Sequence, residues 1–196
     1  MVKVVAVDAA GKVSPEHVEI VAYSKLGGSI VTMDNMLAGQ SRVFGLDNCG
    51  PLLEVVLTVK NNVTLPTIAA EVADLPAGVS PAPGAIYGYL TIATNVAPED
   101  IQSIEVRFRV EKSWLSRNGA DKNAVELWQF DEAKGWKAMK PQLISEDSSY
   151  VYYSASGSSL SLFAVVGRKA LPMALYAASA LAIACGASAA ILMRRR

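Results

Sequence analysis

Few residues in this chain have the types and spacing that catalysis requires. His17 is the single histidine among 196 residues, so we expect neither a histidine-activated serine or cysteine nucleophile nor a metal cluster that contains histidine. Cys49 lies in the body and Cys185 in the apolar tail, two different environments, so no disulfide between them is expected, and they form no C-x-x-C motif. The chain is therefore predicted not to be an enzyme and to hold no metal or cofactor.

Pairs of adjacent acidic residues are the remaining candidates for chemistry. Paired carboxylates serve as acid and base in glycosidases and as ligands of Ca²⁺. Adjacent residues on a strand point to opposite faces, and such pairs in loops are usually solvated, so a surface role is the favoured interpretation. The three pairs are Glu99-Asp100, Asp131-Glu132 and Glu146-Asp147.

Aromatic side chains offer a second kind of site. The tryptophans Trp114, Trp128 and Trp136 could form a platform that stacks on the apolar faces of sugars. Aromatic residues at strand spacing more often pack in a core or across strands, so both interpretations stay open. The tyrosines that would extend the platform are Tyr150, Tyr152 and Tyr153.

One modification site is also predicted. Asn62-Val63-Thr64 is the only N-x-S/T sequon, and it lies in a predicted turn. In an exported chain an oligosaccharide transferase reaches such sites, so Asn62 is the predicted N-glycosylation site.

The charges of the chain divide between an acidic body and a basic end. Lysine plus arginine equal aspartate plus glutamate at 18 each, but five of the cations flank the last apolar segment. Residues 1–167 therefore carry 13 cations and 18 anions, a net charge of −5. Nucleic-acid binding requires a basic surface, so no nucleic-acid partner is expected.

The apolar segment at residues 170–193 has 24 residues and no charge. As a helix at ~1.5 Å per residue it would cover about 36 Å, more than the ~30 Å of membrane hydrocarbon. Residues 168–196 are therefore predicted to be a single transmembrane helix with a basic C-terminal tail, and the lipid bilayer is a predicted partner. Ala182, Gly186 and Ala190 share one face of this helix, a small-xxx-small pattern of the kind that allows helix–helix contact in a homo-oligomer. The many alanines of the segment could also produce the pattern by composition alone, so both interpretations stay open.

The orientation of this predicted anchor rests on its flanking charges. Three arginines follow it and two cations precede it, which favours a cytoplasmic C-terminus and an extracellular body. The N-terminal segment MVKVVAVDAAGK has an apolar run too short for a signal peptide. Two alternatives stay open: a tail-anchored protein that faces the cytoplasm, or a chain whose export signal lies upstream of Met1.

The body between the N-terminus and this anchor shows the patterns of short strands. In IEVRFRVE at 104–111 apolar and charged residues alternate, and Leu53, Val55, Leu57 and Val59 alternate similarly. Further strand patterns are AVELWQF, YGYLTIAT, YVYYSAS and LSLFAVVG, separated by turn residues at 61–62, 80–84, 118–119 and 157–159. The predicted fold is mainly β, an antiparallel immunoglobulin-like sandwich followed by the C-terminal transmembrane helix.

Two parts of the body depart from this strand pattern. A short helix is predicted at 112–119, capped by Ser113 and stopped by Asn118-Gly119, and a shorter turn at 98–100. Residues 1–48 contain strand-like VKVVAVD, HVEIVAYS and SRVFGL, but Gly27-Gly28 and residues 34–39 interrupt them. This N-terminal segment is either a set of extra strands or the remnant of a preceding domain.

Residues 52–167 resemble the archaeal family called PGF-pre-PGF. The resemblance rests on KSWL at 112–115, Asn118-Gly119, VELW at 125–128, Gly135-Trp136 and SLFAVV at 161–166, with similar earlier strands at 55–72 and 87–106. It implies an exported β-sandwich module over residues 49–167, of the kind found in S-layer-associated or adhesive envelope proteins, and it implies no catalytic residues. Family members often carry a Pro-Gly-Phe signal for an archaeosortase, which this chain lacks, so permanent anchoring by the helix is expected.

The sequence thus predicts a membrane-anchored archaeal cell-surface protein with a structural or adhesive role. Its expected partners are neighbouring envelope proteins or glycans. The alternatives are a glycan- or peptide-binding receptor module that uses the tryptophans, and a tail-anchored adaptor that faces the cytoplasm.

Overall fold

The computed structural model of the chain describes residues 18–20 and 27–169. These residues form twelve β-strands, one α-helix and two 3₁₀ turns. The elements are β1 Val18–Ile20, β2 Gly28–Thr32, β3 Ser41–Gly45, β4 Leu52–Val59, β5 Thr67–Ala73, β6 Ala85–Thr94, a 3₁₀ turn Pro98–Asp100, β7 Ile101–Glu111, α1 Lys112–Arg117, a 3₁₀ turn Lys122–Ala124, β8 Val125–Asp131, β9 Gly135–Met139, β10 Gln142–Glu146, β11 Tyr150–Gly157 and β12 Leu162–Gly167.

The strands form two antiparallel sheets. One sheet has seven strands in the order β1-β2-β5-β6-β12-β8-β9, and the other has five in the order β10-β11-β7-β4-β3. The predicted mainly-β fold with antiparallel sheets and one short helix is confirmed, and the arrangement is consistent with a β-sandwich. We call residues 27–169 the two-sheet body.

The main core lies between the two sheets because each sheet turns one set of alternating residues inward. On β7 the alternation that the sequence predicted holds throughout: Ile104, Val106, Phe108 and Val110 are buried. Phe108 stacks on Tyr153 of the neighbouring strand β11, with ring centroids 5.3 Å apart. The partner sheet contributes its own buried residues, which include Ile68, Leu90, Leu127, Phe163 and Val165.

A second, smaller cluster covers the outer face of the seven-stranded sheet. The loop between β5 and β6 places Ala82 against Ala164 and Val166 of β12, and all three are buried. Trp136 holds this loop because its Nε1 donates a hydrogen bond to the carbonyl oxygen of Ser80 at 2.7 Å. Strand β12 is therefore buried on both faces, which explains why its sequence is a continuous apolar run and not an alternating one.

On strand β4 a β-bulge alters the predicted alternation. The register with β7 shifts between Leu52 and Glu54, so Leu52 is buried while Leu53 is only half-buried. Beyond the bulge Val55, Leu57 and Val59 face the core as predicted.

The predicted cap of helix α1 is wrong. Strand β7 runs directly into the helix, so Glu111 occupies the cap position and makes no side-chain capping bond. Ser113 lies inside the helix, and its hydroxyl donates to the carboxylate of Glu111 at 3.1 Å. The predicted stop is confirmed: the helix ends at Arg117, and Gly119 has a φ of 59°, a left-handed conformation that suits glycine.

The N-terminal segment contributes to both sheets within residues 18–20 and 27–48. Strand β2 pairs with β5, and β3 pairs with β4. Strand β2 begins at Gly28, directly after Gly27, whose φ is 104°. The predicted strand at residues 2–8 lies outside the described residues.

None of the described helices is long and apolar enough to cross a membrane. The segment predicted to do so, residues 170–193, and its candidate contact residues Ala182, Gly186 and Ala190 lie outside the described residues.

Candidate functional site

In two of the acid pairs, Glu99-Asp100 and Asp131-Glu132, the aspartate accepts hydrogen bonds within a loop or turn. Asp100 accepts a hydrogen bond from Asn61 Nδ2 at 2.8 Å, and this bond joins the loops that precede β5 and β7. Asp131 accepts from the backbone N–H groups of Ala133 and Lys134, both at 2.9 Å, and so shapes the turn between β8 and β9. In both pairs the aspartate therefore serves the local loop structure.

The third acid pair bears the strongest interactions. Glu146 bridges Lys112 and Lys122, at 3.0 and 2.8 Å, and hydrogen bonds from Lys122 and Lys112 lower its pKa. The hydrogen bond from Tyr152, followed by those from two backbone N–H groups, lowers the pKa of Asp147 to about 2. A general acid needs a raised pKa, so the environment of this pair disfavours that role.

Cys49 is also poorly suited to nucleophilic chemistry. Its side chain is buried and its Sγ lies 3.4 Å from the carbonyl oxygen of Asp47. Burial raises the pKa of the thiol to about 11, so the reactive thiolate is scarce near neutral pH. Within residues 27–169 no group of three or more Asp, Glu, Cys or His side chains could hold a metal ion, and His17 lies outside the described residues.

The three tryptophans lie in two different places. Trp114 on α1 packs at the end of the main core, where its ring meets Tyr87 edge-on with centroids 4.9 Å apart. Trp128 on β8 and Trp136 on β9 lie on the outer face of the seven-stranded sheet, within the smaller cluster. Phe130 extends this face, since its ring centroid lies 5.2 Å from that of Trp136.

The tyrosines of β11 separate in the same way because neighbouring residues on a strand alternate between faces. Tyr153 is buried, and its hydroxyl donates to the carbonyl oxygen of Lys122 at 2.8 Å. Tyr150 and Tyr152 lie on the outer face of the five-stranded sheet, where the guanidinium of Arg109 sits 4.3 Å from the Tyr150 ring centroid. The structure therefore divides the six aromatic residues among three separate surroundings.

The predicted glycosylation residue lies at one end of the two-sheet body. The side chain of Asn62 is exposed, and its Oδ1 accepts a hydrogen bond from the backbone N–H of Ala38 at 2.9 Å. Val63, the next residue, forms an antiparallel bridge with Met36. Asn62 Nδ2, the atom that a glycan would modify, has no hydrogen-bond partner within residues 27–169, and Thr64 is exposed.

The opposite end of the body, where β12 ends, is a candidate site that the sequence did not single out. Gly167 pairs with Ala85 at the start of β6 and with Val125 at the start of β8. Helix α1 and residues 118–124 lie beside it, because an added Cβ at Gly167 would come within 3 Å of both Trp114 and Ala120. We call this end the basal end.

Arg168, the residue that follows β12, is attached to the basal end through four contacts. Its backbone N–H donates to the carbonyl oxygen of Ala124 at 3.1 Å, and its carbonyl oxygen accepts from the N–H of Asp121 at 2.9 Å. Its Nε donates to Glu126 at 2.6 Å, and its guanidinium carbon lies 5.5 Å from the Trp128 ring centroid. The sequence showed Arg168 only as a flanking charge, and nothing in the spacing of residues 121–126 indicated these partners.

A cleft of about 1050 Å³ opens at the basal end, beside residues 167–169. Among its lining residues are the cations Lys140, Arg168 and Lys169 and the acids Asp121 and Glu126. A second groove of about 780 Å³ lies further up the seven-stranded sheet, between the β5–β6 loop and Phe130. Its lining includes Pro76, Val79 and Leu162, so it is mainly apolar.

No protein-family model matches the chain, and no curated protein matches it. The resemblance of residues 52–167 to the PGF-pre-PGF family therefore stays a prediction.

Proposed function

We propose that this protein is a single-pass membrane-anchored module of an archaeal cell surface, with a structural or adhesive role and no catalytic activity. Its two-sheet body stands outside the cell, and residues 170–193 cross the membrane with the C-terminus in the cytoplasm. The body is proposed to be an immunoglobulin-like sandwich of the PGF-pre-PGF kind. Neighbouring envelope proteins or glycans are its proposed partners.

One observation carries this proposal. The last strand of the body, β12, is hydrogen-bonded on both sides, to β6 and to β8, and the contacts of Arg168 continue this attachment one residue further. The uncharged segment begins two residues after that, at Ala170. A central strand that continues into an apolar segment of spanning length suits a body held firmly against a membrane.

The chemistry of the body supports a structural role in preference to an enzymatic one. The three acid pairs serve turns and ion pairs, and the pKa values of Glu146 and Asp147 are lowered. The thiol of Cys49 is buried. A module of this kind offers surfaces for contact with other molecules.

Alkaline carbonate extraction tests the anchoring. Membranes that contain the full chain are compared with membranes from cells that express residues 1–169 alone. The full chain should remain in the pellet after extraction, while the shortened chain should be released. Release of the full chain by carbonate would contradict the proposed anchoring.

A second candidate function is a glycan- or peptide-binding receptor module. The observation that favours it is the half-buried aromatic face formed by Trp128, Phe130 and Trp136 next to the mainly apolar groove. Saturable binding on a glycan array that Trp136→Ala abolishes would support it. Since Trp136 also holds the β5–β6 loop through Ser80, Trp136→Phe serves as a control: it loses that hydrogen bond but keeps an aromatic ring.

The third candidate, a tail-anchored adaptor that faces the cytoplasm, shares the membrane span and differs only in orientation. Protease treatment of intact cells separates it from the first, because external protease reaches the body only if the body faces outward.

A further inference from the structure

The distance between the two-sheet body and the membrane follows from the contacts of Arg168. Because both backbone groups of Arg168 are hydrogen-bonded to the basal end, the chain can separate from the body only after this residue. Lys169 is then the single residue between the attached backbone and the uncharged segment that begins at Ala170. One residue spans at most ~3.6 Å, which leaves almost no room for a stalk.

The lipid headgroup layer is thicker than this link. Headgroups add roughly 5–7 Å on each side of the hydrocarbon core. If residue 170 lies at the edge of the hydrocarbon, the link is shorter than the headgroup layer. The basal end then lies among the headgroups. If instead the ~6 Å by which the segment exceeds the hydrocarbon lies wholly on this side, the basal end meets the outer surface of the headgroup layer. In both positions it is within reach of the headgroups.

The charges of the basal cleft suit anionic headgroups. Of its two acids, Glu126 forms an ion pair with Arg168 and also accepts from Trp128 Nε1. Among the described residues, Asp121 accepts only from neutral donors, the backbone N–H of Asn123 at 2.9 Å and that residue's side-chain amide. Lys140 and Lys169 are exposed, and within residues 27–169 neither has an ion-pair partner. With three cations and two acids, the lining of the cleft has a net charge of +1, and its two cations without an ion pair in the described part of the chain are Lys140 and Lys169.

We infer that the basal cleft binds the phosphate groups of anionic lipid headgroups through Lys140 and Lys169. This inference rests on the proposed membrane anchoring and adds a partner to it. The two ammonium groups attract the phosphates as point charges. This contact fixes the orientation of the body relative to the membrane. Because the ammonium groups are exposed, added salt screens the interaction.

Amine labelling of the full chain in lipid nanodiscs tests this inference. A water-soluble amine reagent is applied to protein in nanodiscs of phosphatidylcholine alone and of equal parts phosphatidylcholine and phosphatidylglycerol. Mass spectrometry then gives the labelling rate of each lysine. Lys60 and Lys134 are internal references, because both are exposed and lie at the opposite end of the body.

We expect phosphatidylglycerol to slow the labelling of Lys140 and Lys169 several-fold and to leave the two reference lysines unchanged. High salt should restore the original rates. The variant Lys140→Glu should weaken the protection of Lys169. Lys137→Glu makes the same change of charge three residues earlier and away from the cleft, so it should leave that protection intact.

Two results would overturn the inference. One is that Lys140 and Lys169 are labelled as fast as the reference lysines in the presence of phosphatidylglycerol. The other is that Lys140→Glu and Lys137→Glu have equal effects. Either result leaves the anchoring itself in place provided that the chain co-purifies with the nanodiscs, whereas loss of the chain from the nanodiscs would contradict the anchoring.

Discussion

Substitution of Gly167 tests how the end of β12 packs against helix α1. Gly167 is buried, and a Cβ added there would lie 2.8 Å from Ala120 Cβ and 2.9 Å from Trp114 Cζ3. Carbon atoms in contact normally lie about 3.5–4 Å apart. The helix or the strand must therefore move to accommodate even a methyl group.

The expected cost of Gly167→Ala follows from this crowding. Overpacking of a well-packed interior costs about 1–3 kcal/mol, so the free energy of unfolding should fall by that amount. For a body of this size the loss corresponds to a decrease of roughly 3–10 °C in Tm. Circular dichroism of the full chain in detergent measures both the thermal and the denaturant-induced transition.

Gly45→Ala is the matched control. Gly45 lies in strand β3, and an added Cβ there meets no atom within 4 Å. Because glycine loses more conformational entropy than alanine on folding into a strand, the change should be neutral or should stabilise the body by up to about 1 kcal/mol. If Gly167→Ala behaves like Gly45→Ala, Trp114 and Ala120 do not crowd the end of β12.

Three further predictions address the stability and modification of the body. Burial raises the pKa of the Cys49 thiol from 9.0 to about 11, so the unfolded chain loses this proton first as the pH rises. Between pH 9 and 11 the free energy of unfolding should fall by about 2 kcal/mol more in the natural chain than in Cys49→Ala. Parallel curves of unfolding free energy against pH for the two chains would contradict this. Leu65 has a φ of 44° and is 51% exposed. Because asparagine tolerates this left-handed conformation better than leucine, Leu65→Asn should raise the denaturant midpoint by the equivalent of about 1 kcal/mol. A lower midpoint would show that the leucine side chain makes a stabilising contact. Native protein should carry a glycan on Asn62, and both Asn62→Gln and Thr64→Ala should remove it. Only Asn62→Gln should also disturb the hydrogen bond to the backbone of Ala38. An intact mass that shows native protein with an unmodified Asn62 would refute the modification.

The sequence predicted those strands that have one solvent-exposed face and one buried face. Strand β7 is central in its sheet, with one face on the core and the other carrying Glu105, Arg107 and Arg109, so alternation was a sufficient signal. On β4 the same rule fails at Leu53, because a bulge shifts the register. A bulge depends on the partner strand, and one strand's sequence does not reveal it.

Other features depend on contacts between distant parts of the chain. Strand β10, with the sequence QLISE, is exposed along its whole length and has no alternating pattern, so it was not predicted. The covering of β12 by the β5–β6 loop depends on the hydrogen bond between Trp136 and Ser80, 56 residues apart. The cap of α1 was predicted wrongly because β7 ends without a loop before the helix.

The candidate sites were predictable to different degrees. The sequon at Asn62 and the turn around it were evident from local sequence, and the structure describes the side chain as exposed. The separation of Trp114 from Trp128 and Trp136 follows from tertiary packing, since α1 lies at the end of the core and the other two lie on an outer sheet face. The contacts of Arg168 join residues 121–126 to the end of β12, and no local pattern encodes them.

Protease treatment of intact cells reports on which side of the membrane the two-sheet body lies. Antibodies against the two-sheet body and against a tag placed after Arg196 follow the two ends of the chain, with and without permeabilisation. A body outside the cell on a spanning segment predicts that external protease removes the body signal from intact cells and leaves a short, membrane-bound fragment with the tag. Protection of the body until the cells are permeabilised would contradict an extracellular body and favour the adaptor that faces the cytoplasm.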